Sequence, residues 1–347
     1  MVWHSELSKC KESRQLISTL SSLGISILMS WDLPIRKELN MVEEEIKRCV
    51  QSQQQLLTEI SMHVIGAGGK RIRPGVSILC YKAVGGTEVS NVIGIAAAFE
   101  LIHSATLIHD DINDGGTIRR GKVSAFRKYG VQLALVAGDF LFVKGFRAGG
   151  SFSKEVVEII ADSCACMAEG EILQVGHIND PSTSIDTYFK IIEGKTAKPI
   201  EASAKVSAFL GGGSPNVIEA LGFYGLNLGM AFQIMDDILD IVGKEDILGK
   251  PKGMDFSDGT PTLPIILAME DGYMGKRLSK LFEKKKKRRW EIEEALKILM
   301  ESDAIQLSKE KALEFSNKAI ESLSILKPSV YEEALKTLAR TVVERES

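Results

Sequence analysis

Apolar residues recur at helical spacing along most of this chain. Between Met41 and Ile65 they follow one another at steps of three, four or seven residues, the spacing of one helix face. The segment from Ile93 to His109 is apolar almost throughout, which is typical of a helix buried in the centre of a bundle. Further helices are predicted near residues 131–148, 154–176, 184–209, 216–242, 262–270, 290–300, 305–325 and 330–344. Because no alternating β-branched pattern recurs, the sequence predicts an all-α helix bundle and not an α/β sheet.

Glycine and proline residues separate the predicted helices without dividing the chain in two. We therefore expect one all-helical domain over residues 36–347, preceded by an N-terminal extension of residues 1–35. No apolar run approaches the roughly 20 residues that a transmembrane helix needs. The first residues also lack the layout of a signal peptide. These features predict a cytoplasmic protein with no transmembrane segment.

Net charge and cysteine content limit the kinds of ligand and metal site that this chain is expected to have. The 347 residues carry a net charge of -3, so the sequence gives no general attraction for nucleic acid and any anion site must be built locally. The five cysteines are scattered, apart from Cys164 and Cys166. An odd, scattered set is typical of a reducing compartment. The close pair reads as two buried helix thiols, because no second pair or histidine cluster completes a metal site.

Two aspartate-rich motifs repeat one pattern, each at the end of a strongly apolar segment. The aspartates are Asp110, Asp111 and Asp114 in the first motif and Asp236, Asp237 and Asp240 in the second. Residues four apart share a helix face and lie about 6 Å apart along its axis, so the outer two carboxylates of each motif can converge. The alternative is a pair of acidic helix ends on the surface. Their repetition favours a Mg²⁺ site with Asp110, Asp114, Asp236 and Asp240 as ligands.

Basic residues near glycines suit a phosphate-bearing ligand. The segment Gly68–Pro74 combines backbone freedom with the positive charges of Lys70, Arg71 and Arg73. Arg119 and Arg120 follow the first aspartate motif and offer two guanidinium groups. Lys195, beside Thr196, and Lys250 are further candidates. Each basic pair alone is typical of a solvated surface. Beside two metal motifs, they describe a pocket for two diphosphates.

Taken together, these motifs resemble those of the trans-type prenyl diphosphate synthase (polyprenyl synthetase) family. The resemblance runs from about Met41 to Pro264, with the motifs in the family's order. They are Gly68–Pro74, Leu107–Asp114 with Arg119–Gly121, Gly194–Thr196, Phe232–Asp240 and Leu248–Pro264. The resemblance implies a helix bundle around a large central cavity. It also implies a homodimer that condenses isopentenyl diphosphate with an allylic prenyl diphosphate.

The resemblance also implies roles for individual residues. The six motif aspartates would bind Mg²⁺ and the allylic diphosphate, with Arg119, Lys195 and Lys250 as further diphosphate ligands. Isopentenyl diphosphate would contact Lys70, Arg73, His103 and Arg120. Thr196 and Gln233 would lie beside the carbocation that forms when the allylic C–O bond ionises. His103 has an alternative reading as a core histidine, and its position seven residues before Asp110 favours the functional one.

Product length depends on the helix face that leads away from the first motif. Members of the resembled family that make farnesyl chains often carry an aromatic residue in the turn before the first motif. Ala105 and Thr106, five and four residues before Asp110, are not aromatic, so this turn is open. Ile102 lies one turn deeper, and Phe99 lies about 16 Å from Asp110 along the axis. Phe99 is a candidate for the floor of the tunnel, with core packing as the equal alternative and Met167 or Cys164 as other floors. We expect a product of geranylgeranyl length or longer.

Two further readings remain open. The basic run Lys284–Arg289, beside Trp290, predicts a solvated loop or helix end, or a weak contact with anionic lipid. A class I terpene cyclase also uses an aspartate-rich helix, but it is not expected to carry the basic Gly68–Pro74 motif or a second aspartate motif. A non-catalytic partner subunit is the other alternative, and the intact acidic motifs weigh against it.

Overall fold

The computed structural model describes residues 30–149, 153–243 and 251–345, which are almost entirely helical. The helices, in chain order, are α1 (Arg36–Cys49), α2 (Gln55–Ile65), α3 (Ile72–Ala83), α4 (Ser90–Asn113), α5 (Ala125–Tyr129), α6 (Val131–Gly149), α7 (Lys154–Gly176), α8 (Ile185–Ile192), α9 (Lys198–Leu210), α10 (Pro215–Val242), α11 (Met254–Asp258), α12 (Leu263–Met269), α13 (Gly272–Phe282), α14 (Arg289–Glu301), α15 (Ala304–Ser322) and α16 (Val330–Val343). Short 3-10 turns cover Leu33–Ile35 and Leu323–Ile325, and a π-helical segment, Glu193–Ala197, joins α8 to α9. The predicted all-α class is confirmed.

A small antiparallel hairpin interrupts the helices between α4 and α5. Its strands are β1 (Ile118–Arg119) and β2 (Lys122–Val123). The turn residues Arg120 and Gly121 both have positive φ, 51° and 73°, as a tight two-residue hairpin requires. The charges of this segment are evident from the sequence, whereas its two short strands are not.

The helical segment predicted over Met41–Ile65 is wrong at its centre, because the structure contains two helices there. Helix α1 ends at Cys49 and α2 begins at Gln55. Between them, the backbone N–H of Ser52 donates to the Thr58 hydroxyl oxygen at 3.0 Å, and that hydroxyl donates to the carbonyl of Val50 at 3.4 Å. Local bonds of this kind compete with helical backbone bonds and end a helix.

Two long helices organise the bundle. Helix α4 packs along α6 and also contacts α1, α3 and α9. Helix α10 packs between α9 and α15. Because α9 contacts both α4 and α10, it lies between the two helices whose last turns carry the aspartate motifs.

Helices α4 and α10 are also long and apolar enough to span a membrane, judged by length and composition alone. In α4, 72% of the most apolar stretch is buried inside the fold, and in α10 the share is 56%. Burial of this extent is typical of the central helices of a bundle.

Part of the predicted N-terminal extension packs against the helical body. Ile35 is fully buried, and the ring of Trp31 lies over Gly75 in α3. A Cβ atom at position 75 would lie 2.4 Å from that ring, so only glycine permits the contact. Residues 1–29 of the extension lie outside the described residues.

Candidate active site

The first aspartate motif occupies the last turn of α4. Asp111 is buried and accepts hydrogen bonds from Nε and Nη2 of Arg119, at 2.9 and 2.6 Å. Asp110 is half-buried on the same helix, and Asp114, which directly follows the last helical residue, is exposed. Burial raises the pKa of Asp110 to about 6, and it also raises the pKa of Asp111 and Asp114. This end of α4 therefore carries carboxylates whose negative charge is poorly solvated.

The second motif occupies the last two turns of α10. Asp237 is buried and accepts hydrogen bonds from the Tyr188 hydroxyl at 2.6 Å and from Nε2 of Gln233 at 2.9 Å. Burial raises the pKa of Asp237 to about 7 in spite of these donors. Asp240 is also buried, and its Oδ2 accepts from the backbone N–H of Asp255 at 3.1 Å. These contacts fix the orientation of two of the three carboxylates.

One side of the π-helical segment reaches the second motif. The Thr196 hydroxyl donates to Oε1 of Gln233 at 2.8 Å, and Gln233 donates in turn to Asp237. Gly229 of α10 permits this approach, because a Cβ atom there would lie 2.5 Å from the Cα of Ala197. A π turn inside a helix is rare and is frequent at functional sites.

The other side of the same segment reaches the first motif. Lys195 forms an ion pair with Glu171 of α7 and donates to Oε1 of Gln174 at 3.1 Å. Burial is the main influence on the pKa of both Asp110 and Asp114, and the Lys195 charge lowers the two pKa values in part. Adjacent residues of one segment therefore interact with both aspartate motifs, which places the two motifs in one region of the fold.

Basic groups lie between the motifs. Burial lowers the pKa of Arg73, whose charge also interacts with Glu100, with Arg120 and with Asp236. The Nε atom of Arg73 is buried and has no hydrogen-bond partner among the described residues. Burial, followed by the nearby guanidinium groups of Arg73 and Arg120, holds the pKa of His103 well below its usual 6.5. His103 is therefore a neutral imidazole near physiological pH.

Arg345, beyond the end of α16, is a site residue that the sequence analysis missed. Its side chain is only 7% exposed, lies 3.5 Å from Oδ1 of Asp236 and covers the ring of Phe232 at 4.6 Å. Its Nε atom is buried without a hydrogen-bond partner in the described part of the chain. Lys70 and Arg345 line the same cavity of about 410 Å³. No local pattern reveals this residue, because its partners lie more than 100 positions away in the chain.

Arg71 has structural partners that the sequence does not reveal. Its guanidinium group bonds to Glu43, Glu100 and the carbonyl of Ile65, the last at 3.1 Å. These bonds use four of its five N–H donors, so Arg71 holds the Gly68–Pro74 loop, and its contact with substrate stays a prediction. Arg120 bonds to the carbonyl of Gly68 and so ties the β-hairpin to that loop. Lys250 lies outside the described residues.

The predicted chain-length residues separate into two groups. Phe99 and Ile102 are buried in one apolar cluster with Val156 and Ile160 of α7 and Val206 of α9. Cys164 and Met167, the alternative floors, pack against this cluster. Thr106 is half-buried on the α4 face that connects it to Asp110. Ala105 belongs to the main core cluster instead, because its position on α4 faces another direction.

The donor set fits a hard divalent cation. Six carboxylates supply only oxygen, and burial raises the pKa of four of them, so a bound cation would relieve their repulsion. In the described ranges, no three His, Cys, Asp or Glu side chains form a ready-made metal cage. Mg²⁺ requires no such cage, because it binds through one or two carboxylates together with water and substrate phosphates.

Tyr188, Glu171, Gln174 and Asp255 are also absent from the sequence-based predictions. Each contacts a predicted site residue and orients it. Tyr188, Glu171 and Gln174 stand in no distinctive local pattern, so only the fold identifies them. Asp255 lies within the Leu248–Pro264 motif, but the sequence assigns it no role.

Comparisons with known proteins identify the family and the fold. Residues 54–299 match the family model described as polyprenyl synthetase. The chain is 38% identical over 321 residues to the short chain isoprenyl diphosphate synthase of Methanothermobacter thermautotrophicus, covering 90% of this chain and 98% of that protein. It is 35% identical to the octaprenyl diphosphate synthase of Escherichia coli, covering 88% and 95%. Its fold matches the crystal structure of a Caulobacter crescentus polyprenyl synthase, complexed with calcium and isoprenyl diphosphate, with a TM-score of 0.89 at 32% identity, covering 92% and 98%.

Proposed function

Because the chain belongs to the polyprenyl synthetase family, we propose that its two aspartate motifs and the basic groups between them form the active site. The chain is a prenyltransferase that condenses isopentenyl diphosphate with an allylic prenyl diphosphate to give a longer trans-prenyl diphosphate. One observation carries the assignment of the site. Lys195 and Thr196, adjacent in the π-helical segment, act on the first and the second aspartate motif respectively.

The allylic diphosphate binds, in our proposal, between the two motifs. The family depends on a divalent metal, and we propose Mg²⁺ held by Asp110, Asp114, Asp236 and Asp240. When bound, it supplies positive charge to the departing diphosphate. Lys195 adds a fixed positive charge on the same side, and Arg119 holds Asp111 in place. Lys250 stays a predicted diphosphate ligand.

Isopentenyl diphosphate binds, in our proposal, to Lys70, Arg73, His103 and Arg120, and we add Arg345 to this group. The unpartnered Nε atoms of Arg73 and Arg345 support this, because a buried donor without an acceptor is costly and a bound phosphate oxygen satisfies it. Neutral His103 contributes a hydrogen bond without adding charge.

Bond formation then needs no nucleophilic side chain. The allylic C–O bond breaks and its electron pair leaves with the diphosphate. The isopentenyl double bond attacks the resulting cation, forming the new C–C bond, and the proton lost afterwards passes to the released diphosphate. Thr196 and Gln233 place oxygen dipoles beside the cation, held by the hydrogen bond between them and by Asp237.

We propose a product of geranylgeranyl length or longer. The face of α4 below Asp110 carries Thr106, Ile102 and Phe99, and only Phe99 is aromatic. Phe99 and Ile102 are both buried in the cluster between α4, α7 and α9. A tunnel along this face would therefore stay open for about 16 Å before reaching Phe99.

A cytoplasmic homodimer is our proposal for the assembly. The outer face of α6 exposes Leu135, Val136 and Val143, the last to 64%. Large apolar side chains exposed on one helix support an interface there, although the exposed Asp139 lies among them. Cys49, Cys80, Cys164 and Cys166 are free thiols, as expected in a reducing compartment.

Weak contact with anionic lipid is our proposal for the run Lys284–Arg289. Lys284 and Arg289 pair with Glu291 and Glu293. Lys285 and Lys286 are exposed and form no ion pair within the described ranges, near Trp290 at 50% exposure. The double variant Lys285→Gln/Lys286→Gln should weaken sedimentation with anionic vesicles. Unchanged sedimentation would remove this contact from the proposal.

Product analysis of the purified chain tests the function. Labelled isopentenyl diphosphate, Mg²⁺ and geranyl, farnesyl or geranylgeranyl diphosphate should yield longer diphosphates, sized after removal of phosphate. Asp236→Asn, with its charge removed, should abolish the products. If the purified chain alone gives no product with any primer, the alternative of a non-catalytic subunit is favoured.

A further inference from the structure

Lys287 departs from the solvated run in which the sequence places it. It is half-buried, and its Nζ donates to Oδ1 of Asn179 at 2.7 Å. The same ammonium group lies 5.5 and 5.4 Å from the ring centroids of Phe256 and Phe282, within the range of cation–π attraction. Burial lowers its pKa to about 8. Burial of a charged ammonium group is unfavourable, and the contacts with Asn179 and the two rings offset this cost. These contacts therefore hold Lys287 in a defined position.

Asn179 links Lys287 to the end of α11. Its backbone is left-handed, with φ of 59°, and its N–H donates to the carbonyl of Gly259 at 2.8 Å. A Cβ atom at Gly259 would lie 2.1 Å from Oδ1 of Asn179, so the two backbones are in close contact. Gly259 directly follows the last residue of α11.

Helix α11 in turn holds the second aspartate motif. The backbone N–H of Gly253 donates to the carbonyl of Asp240 at 2.9 Å, and the N–H of Asp255 donates to its Oδ2 at 3.1 Å. A five-residue helix has little stability of its own, so contacts outside it must fix its place. Asn179, and Lys287 through the Phe256 ring, supply such contacts.

We propose that Lys287 is a positioning residue for metal binding, which acts through Asn179 and α11 to orient the Asp240 carboxylate. This inference rests on the proposed function of Asp240 as a metal ligand. Groups that orient a metal ligand contribute about 10- to 100-fold to metal affinity or activity when they contact it directly. Lys287 acts at a greater distance, so a smaller effect, about three- to tenfold, is expected.

Lys287→Met removes the ammonium group and keeps a flexible apolar side chain against the two rings. Lys276→Met is the matched control, because Lys276 is exposed on α13, the helix that carries Phe282. Two measurements are made on the full chain: Mg²⁺ titration of initial rate, and Mg²⁺ titration of the thermal midpoint with an unreactive allylic thiolodiphosphate. We expect Lys287→Met to raise the half-saturating Mg²⁺ three- to tenfold in both and to leave the KM for isopentenyl diphosphate unchanged.

A purely structural role predicts another result, a lower thermal midpoint and rate with unchanged half-saturating Mg²⁺, and that result overturns the proposal. Asn179→Gly is a second variant, since glycine keeps the left-handed backbone and its N–H but removes the acceptor for Lys287. Asn179→Gly should raise the half-saturating Mg²⁺ by a similar factor. The double variant Lys287→Met/Asn179→Gly should raise it little further than either single variant. If the wild-type chain lacks prenyl transfer at every Mg²⁺ concentration, the proposed function itself fails, which is a separate outcome.

Discussion

Replacing Phe99 with alanine tests where the growing prenyl chain ends. Phe99 is 2% exposed and packs with Val156 and Ile160 of α7 and Val206 of α9. If its ring is the floor of the tunnel, its removal extends the tunnel along the same face of α4. The next residue on that face is Ile95, four positions earlier and about 6 Å deeper.

The energetic consequence follows from burial. Truncating a buried phenylalanine to alanine costs about 3–5 kcal/mol, compared with a total stability of about 5–15 kcal/mol for a typical domain. The Phe99→Ala protein should therefore fold with a lower thermal midpoint. Phe99→Leu leaves a smaller cavity, so it provides a milder version of the same change.

The assay is chromatographic sizing of products made from labelled isopentenyl diphosphate and a farnesyl primer. We expect Phe99→Ala to shift the products to longer chains and Phe99→Leu to shift them less. Leu101→Ala is the matched control, since Leu101 lies on the same helix, is fully buried and faces the main core cluster. Its products should keep the wild-type length. An unchanged product distribution in a folded Phe99→Ala protein would refute the floor.

Three further predictions concern the site. In steady-state assays, Arg345→Leu should raise the KM for isopentenyl diphosphate at least about tenfold, because loss of a charged hydrogen bond costs about 1.5–3 kcal/mol. The KM of the allylic substrate should stay within about twofold of the wild-type value. Because burial raises the pKa of Asp110 to about 6, the folded metal-free protein retains a proton that the unfolded chain releases near pH 4. Its unfolding free energy should therefore fall as pH rises from 4 to 6, by about 3 kcal/mol for this group, and denaturant titrations of Asp110→Asn should lack that fall. Gly194→Ala would place a Cβ atom 2.6 Å from the carbonyl of Cys166, so it should cost about 1–3 kcal/mol and reduce kcat, whereas Gly176→Ala, where nothing lies within 4 Å, should do neither.

Helical periodicity predicted the long elements well, because burial of one face dominates them. The segment predicted at 154–176 coincides with α7, and that predicted at 216–242 differs from α10 by one residue. Periodicity failed where local polar contacts decide the backbone. The break between α1 and α2 depends on Ser52 and Thr58, and the apolar pattern continues across it.

The site divides in a similar way. The aspartate motifs can be recognised in the sequence, because the aspartates of each motif lie on a single helix and come together without tertiary packing. Arg345 and Tyr188 reach Asp236 and Asp237 only through tertiary packing, so no local pattern contains them. The partners of Arg71 are hidden in the same way, since its place in a basic motif does not reveal that Glu43 and Glu100 bind it.

The π turn between α8 and α9 limits how the enzyme can be redesigned. Removing one residue from Glu193–Ala197 would restore ordinary α-helical winding and rotate everything on one side by about 100° relative to the other. Lys195 and Thr196 could not then both keep their present neighbours. If the site is arranged as we propose, changes of primer or product preference are therefore safer on the α4 face that carries Ile102 and Phe99 than in this turn, where both aspartate motifs would be affected at once.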